Sequence, residues 1–219
     1  MAPIITIDGP GGAGKGTLAH YIASKLNWHL LDSGKLYRLF ALYVIDHNID
    51  QGDQQSMLSA AQNLPIKFAD RKLYLSDIDV TNRVKTEICG NMASKFSVIP
   101  EVRQGLLEFQ RDFAKSPGLV ADGRDMGTEV FKQANLKLFL DATPEKRALR
   151  RLGELASLGI AANLQELLKE INERDARDRN RPFSPLRPAH DAHILDSSDM
   201  TIEEVCAWAT EKIALAKLT

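Results

Sequence analysis

Along the chain, short aliphatic runs alternate with longer stretches whose apolar residues recur every third or fourth position. Ile4 to Ile7 is a β-branched run bounded by glycine, the pattern of a strand buried on both faces. Leu18, Ile22 and Leu26, with Ala19 and Ala23 beside them, form one apolar stripe at helical spacing. Trp28 to Leu31 predicts a second strand, ending at Asp32-Ser33-Gly34, and Leu36 to Ile45 a second helix. Leu119-Val120-Ala121, Leu136 to Leu140 and His193-Ile194-Leu195 predict three further strands. Helix starts fall between them. Pro100 and Pro144 suit first-turn positions that lack an N–H partner, with Thr143 as a cap for the second. Asn163 with Glu166, and Thr201 with Glu204, have capping-box spacing. This order predicts an α/β fold: a five-stranded parallel sheet flanked by helices.

Two stretches depart from the rhythm. Ile66 to Phe68, Leu73 to Leu75 and Ile78 to Val80 are short and separated by polar breaks at Asp70-Arg71-Lys72 and Ser76-Asp77, which predicts a small antiparallel insertion. Gly153 to Ala162 reads as irregular. Composition narrows the class. With 219 residues, 44% of them hydrophobic and 26% charged, one domain with a sizeable core is expected without disulfides. Cys89 and Cys206 have no paired spacing, which fits a reducing compartment. No apolar run approaches the ~20 residues of a membrane span, and no basic and apolar leader opens the chain, so a cytoplasmic protein is expected. A net charge of -1 gives no support to nucleic-acid binding.

Between the first strand and the first helix lies Gly9-Pro10-Gly11-Gly12-Ala13-Gly14-Lys15-Gly16-Thr17. Glycines let consecutive N–H groups converge on a phosphate, the helix N-terminus adds its positive end, and the lysine reaches the β/γ oxygens. A flexible turn has no use for four glycines and a Gly-Lys pair in this setting, so nucleoside triphosphate binding is expected. Gly16 stands where Ser or Thr usually holds magnesium, and the hydroxyl comes one residue later at Thr17. Mg²⁺ is therefore expected without a direct protein ligand, held through water and phosphates, with Asp122 as the acid for a water-mediated contact.

Arg147, Arg150, Arg151, Arg174, Arg177, Arg179, Arg181 and Arg187 crowd one C-terminal stretch, while Arg38, Arg103 and Arg124 stand near predicted strand ends or helix starts. Guanidinium groups suit phosphoryl transfer, because donor and acceptor charge must be neutralised together. The bland alternative is solvated helix faces, with Asp175 and Asp178 as i,i+4 partners. It is weakest for Arg124, in Asp122-Gly123-Arg124-Asp125 beyond a buried strand. Arg174, Asp178 and Arg181 share one helical face until Pro182. That face is either a salt-bridge ladder or a ligand surface, and spacing alone does not choose. The five histidines lack metal-ligand spacing, and Met92 and Phe96 read as core.

Together, Gly9 to Thr17, Leu31-Asp32-Ser33-Gly34 with Tyr37-Arg38, Ala121-Asp122-Gly123-Arg124-Asp125-Met126-Gly127-Thr128, and Glu173-Arg174-Asp175 through Asp178-Arg179-Asn180-Arg181 resemble bacterial cytidylate kinases, of the P-loop nucleoside monophosphate kinase (NMP-kinase) fold. The resemblance covers nearly the whole chain, 1–219, as a single kinase domain. It implies a monophosphate-binding region over 33–100 carrying the insertion at about 63–85, and a short lid over 150–163. It implies ATP and Mg²⁺ as cofactors and transfer of the γ-phosphoryl group to CMP or dCMP, in pyrimidine metabolism, by a monomer that needs no nucleic acid or membrane. Carried over by position, Gly9 to Thr17 bind ATP, and Ser33, Arg38, Ser94, Arg103, Arg124, Asp125, Arg174, Asp178 and Arg181 hold the acceptor. Lys15, Arg124, Arg174 and Arg181 act on the transferred group. Asp125 accepts from the cytosine amino group while Arg103 and Ser94 donate to N3 and O2, and uracil would turn a carbonyl toward the same carboxylate. The rivals are a kinase on the same core acting on UMP, AMP or a hydroxyl-bearing metabolite, and a nucleotide-dependent switch or DNA-associated ATPase.

Overall fold

The computed structural model describes residues 2–69, 72–157 and 159–218. In chain order its elements are β1 (Ile4–Asp8), α1 (Lys15–Leu26), β2 (His29–Asp32), α2 (Ser33–Asp46), α3 (Gln54–Gln62), β3 (Ile66–Ala69), β4 (Lys72–Leu75) and β5 (Ile78–Asp79). There follow α4 (Glu87–Phe96), α5 (Pro100–Arg111), β6 (Leu119–Gly123), β7 (Leu136–Asp141), α6 (Pro144–Ser157), α7 (Leu164–Asn180), β8 (His193–Asp196) and α8 (Ile202–Leu215). They divide into two units, Met1–Leu31 with Phe113–Thr219, and Asp32–Asp112.

In the first unit the strands pair in the order β2-β6-β1-β7-β8 as a parallel sheet. β1 lies at its centre, with Ile7 opposite Asp122 and Leu138. Ile5, Ile7, Val120, Leu138 and Leu140 are buried against Leu18 and Ile22 of α1 and Ala209 and Ile213 of α8. These strand side chains share one face of the sheet; on the other face Thr6, Leu119, Ala121 and Phe139 are buried as well, which explains why β1 and β6 show no alternation of apolar and exposed polar positions. A parallel sheet also delivers every strand's C-terminal end to the same edge, where α/β ligand sites form.

The second unit is built on α2. Asp32 accepts the Lys35 N–H at 3.0 Å, so the helix begins at Ser33, one turn before the apolar stripe that announces it at Leu36. Leu36, Leu39, Phe40, Met57, Val102 and Leu106 make the core, and Phe40 meets Phe96 edge to face at 5.8 Å and 77°, worth about 0.5–1.5 kcal/mol beyond its area. The order β3-β4-β5 is antiparallel, with Ile66 opposite Leu75 and Tyr74 opposite Asp79. Ser76 and Asp77 both take positive φ, 48° and 63°, as a two-residue hairpin turn requires. Of the other expected break, Asp70 and Arg71 lie outside the described residues.

The expected irregular stretch from Gly153 to Ala162 is overturned in its first part only, since residues 159–162 carry neither helix nor strand. α6 continues through Gly153 to Ser157, because Leu155 is 7% exposed and packs with Ala148 and Leu167. That burial outweighs the ~1 kcal/mol helix cost of a glycine. Asn163 Oδ1 caps α7 by accepting from Gln165 and Glu166 at 2.8 and 3.3 Å. Thr201 and Glu204 close a reciprocal box at the start of α8. Thr201→Ala is expected to lose about 1 kcal/mol of stability, measured by urea unfolding, with the midpoint lowered and the slope unchanged.

Candidate active site

Strand β1 runs into the glycine loop at a point of tight contact. Gly9 has φ +149°, and a Cβ there would fall inside the carbonyl oxygen of Leu140 on β7. Gly14, at φ 95°, caps α1 with left-handed backbone and no side-chain cap, so the helix presents its leading N–H groups to the loop. Lys15 opens α1 yet is 5% exposed. Its Nζ curls back to donate to the Pro10 carbonyl at 2.9 Å and lies 3.8 Å from Asp122 Oδ1. At Gly16 a Cβ would sit 3.7 Å from Asp122 Oδ2, so the carboxylate lies against the backbone at the position where a Ser or Thr hydroxyl usually stands.

The segment after β6 and the end of α7 meet over this loop. Arg124 Nη2 and Arg174 Nη1 lie 3.4 and 3.6 Å from the place a Gly11 Cβ would take. Arg124 Nε donates to Asp178 Oδ2 at 3.0 Å, and Asp178 is 3% exposed. Burial works to raise the Asp178 carboxyl, but Arg124, Arg174 and Arg181 hold it below the usual range. Burial likewise opposes the Arg124 charge, and Asp178 and Asp122 overcome it and raise its pKa. Arg181 donates through Nε to the Ser184 carbonyl, and its Nη2 stands 3.6 Å from Asp125 Oδ1. The expected single helical face does not form: α7 ends at Asn180 and Arg181 is extended at its C-cap, so Asp178 is paired with Arg124 and Arg181 stands against Asp125, both from the segment around the end of β6.

Two buried residues escape the sequence reading. Arg147 belongs by position with the arginines suited to phosphate, but it is 1% exposed and bound to protein. Its Nε donates to the Ala142 carbonyl at 2.8 Å and its Nη1 to the Gly11 carbonyl at 3.0 Å, while both terminal nitrogens meet Asp175. It props the glycine loop from behind, and Asp175 is its cross-helix partner rather than part of an i,i+4 pair. Arg150 similarly binds the Ser197 carbonyl at 2.5 Å. Arg151 with Glu154 and Arg179 with Asp141 are exposed pairs, worth ~0–1 kcal/mol. Asp8 is the second. Its two oxygens accept the Met126 and Gly127 N–H groups at 2.8 Å each. Burial pushes its carboxyl up to about 7, against the pull of the two amides, with Asp125 adding to the rise and Lys15 opposing it. The available signal is a carboxylate ending a buried strand, a residue type rarely buried without partners.

In the second unit, Ser33 opens α2 and Ser94 is buried on α4. Arg38 Nη1 donates to the carbonyls of Val84 and Thr86 at 2.6 and 3.0 Å, just after the antiparallel strands. Arg103 Nη1 donates to the Tyr37 hydroxyl and the Ser97 carbonyl, both at 3.2 Å, with its guanidinium 5.9 Å from the Tyr37 ring centroid. Tyr37 and Ser97 thus orient Arg103.

Arg147→Ala removes the two-point partner of the largely buried Asp175 and is expected to lose about 3 kcal/mol, more than the double variant Arg147→Met/Asp175→Leu, in urea unfolding. A pH dependence follows from Asp8. Its folded pKa of about 7 lies above the unfolded value, so its contribution to stability is complete below about pH 4 and is lost as the pH rises through 7. The stability of the wild-type chain relative to Asp8→Asn should fall across that window.

The sequence profile of the family described as Cytidylate kinase matches residues 5–215. The cytidylate kinase of Photorhabdus laumondii is 52% identical over 209 residues, covering 94% of this chain and 92% of its own. That of a Marinomonas species is 51% identical over 223 residues, covering 100% of this chain and 98% of its own. Among solved structures, a Thermus thermophilus protein at 19% identity matches 100% of this chain and 98% of its own with a TM-score of 0.50, and shares the fold.

Proposed function

The chain belongs to the cytidylate kinase family, and we propose that it transfers the γ-phosphoryl group of ATP to CMP or dCMP, giving ADP and CDP or dCDP. The observation that carries this reading is the pair of guanidinium groups, Arg124 and Arg174, above Gly11 of the phosphate loop. Gly9 to Thr17 hold ATP. Ser33, Arg38, Ser94, Arg103, Arg124, Asp125, Arg174, Asp178 and Arg181 hold the acceptor. The stretch 150–163, the end of α6 and the chain leading to Asn163, acts as a lid over ATP; its Leu158 lies outside the described residues.

The acceptor is already an anion, so no general base is required. Catalysis comes from holding two phosphates in line and from cations placed where charge spreads over the transferred group. Lys15 is tethered to the Pro10 carbonyl and reaches the β/γ oxygens. Arg124 is held by Asp178, which limits the orientations it must lose when a ligand arrives. A hard cation prefers oxygen donors, and the Asp122 carboxylate lies against Gly16, so the residues suit Mg²⁺ held by way of water. When bound, Mg²⁺ neutralises phosphate charge. Two cytosine-reading groups are held by neighbours, Asp125 by Arg181 and Arg103 by Tyr37 and Ser97. The enzyme acts as a monomer in the cytoplasm, in pyrimidine nucleotide metabolism, where Cys89 and Cys206 remain buried thiols.

In a coupled assay of ADP release, CMP and dCMP are expected to be turned over well and UMP and AMP poorly; equal turnover of all four would overturn the assignment. Lys15→Ala is expected to reduce kcat by about 10²-fold or more. Asp125→Ala is expected to lower the CMP/UMP ratio of kcat/KM, each unpaired group being worth ~1–3 kcal/mol.

A further inference from the structure

Every strand of the parallel sheet ends at or beside an aspartate: Asp8, Asp32, Asp122, Asp141 and Asp196. Three of these serve the turn that follows them. Asp32 accepts from Lys35, Asp141 from Ala142 and Asp196 from Ser198, at 3.0, 2.9 and 2.9 Å. Asp8 reaches instead to a different strand's turn, 118 and 119 residues further along the chain, where it takes the N–H groups of Met126 and Gly127. Those two donors directly follow Arg124 and Asp125.

The turn is pressed onto β1. A Cβ on Gly127 would come within 2.8 Å of Thr6 Oγ1 and 3.3 Å of Asp8 Oδ2. On the other side of the carboxylate clamp, the Asp125 carbonyl accepts the N–H groups of Glu129 and Val130 at 2.9 and 3.2 Å. The backbone of Asp125 is therefore pinned by its own turn, and that turn is pinned to β1 through Asp8. Two hydrogen bonds to one planar carboxylate define an orientation, which one bond does not.

We infer that Asp8 is a positioning residue for base discrimination: by accepting both N–H groups it fixes the backbone from which the Asp125 carboxylate reads the exocyclic amino group of cytosine. This rests on the assignment of Asp125 made above. Asn at position 8 has one acceptor oxygen and turns an NH₂ group against the second amide, so the clamp loses one of its two bonds with little change in volume. A displacement of the order of 1 Å in a reading group has large kinetic effects. Charged groups facing Asp8 are Asp125 and Lys15; Lys137, whose Cδ lies beside Gly127, directs its Nζ to the Lys132 carbonyl and to Asp191.

The test compares kcat/KM for CMP and UMP in the wild type, Asp8→Asn and Asp125→Ala. Asp8→Asn is expected to lower the CMP/UMP ratio about tenfold or more, with a smaller change in KM for ATP, and Asp125→Ala to lower it at least as far. If Asp125→Ala lowers the ratio and Asp8→Asn leaves it unchanged, the positioning role is overturned and the assignment of Asp125 stands. If neither moves it, the assignment of Asp125 fails and the inference with it. Should Asp8→Asn not fold, the unaltered protein decides. The Met126 and Gly127 amide resonances are expected to titrate together near pH 7 and to resist hydrogen exchange, and rapid exchange of both at neutral pH would overturn the clamp.

Discussion

The constraint on which this molecule depends is the common direction of five strands. Because β2, β6, β1, β7 and β8 run parallel, their C-terminal ends share one edge, and the turns that leave that edge must find partners for backbone N–H groups in a small space. Aspartates at or near the strand ends meet that demand. The glycine loop follows the central strand, β1, so it is flanked on both sides by turns already braced in this way. A loop of backbone amides is a competent phosphate cradle only if it cannot collapse, and here Arg147 from behind and Leu140 from beneath leave it little freedom to do so.

The interior ion pairs have a different character from those on the surface. Taking Arg124 and Asp178 or Arg147 and Asp175 out of water costs several kcal/mol per ion, and their attraction offsets this only when the geometry is good. Their use lies in direction. Each guanidinium is fixed by a carboxylate or a carbonyl, so it faces a set point instead of sampling rotamers. Arg151–Glu154 and Arg179–Asp141, exposed to solvent, have no such role and add little to stability.

Much of this is legible in the sequence. The strands, the glycine loop and the antiparallel insertion follow from aliphatic runs, glycine spacing and polar breaks, because each is a local pattern. Asp122, Arg124 and Arg181 stand out because motif spacing marks them. The failures share a cause. Helix α6 runs through Gly153 because burial of Leu155 is a tertiary fact. Arg147 lies in the same arginine-rich stretch as Arg174 and Arg181, and only its environment sets it apart. Asp8 goes unmarked because its partners are more than a hundred residues away in sequence, so no periodicity relates them.

The interleaving of charge around the loop has a consequence for how ligands arrive. Lys15 is set against Asp122, Arg124 against Asp178 and Arg181 against Asp125, so most of the positive charge is matched within a few ångströms. Fields from such pairs decay faster than those of isolated cations, and beyond a Debye length of ~10 Å they are largely screened. The site therefore offers little long-range steering. An incoming nucleotide meets the guanidinium groups at contact distance, and its association rate should depend weakly on ionic strength even though the bound phosphates are surrounded by arginine.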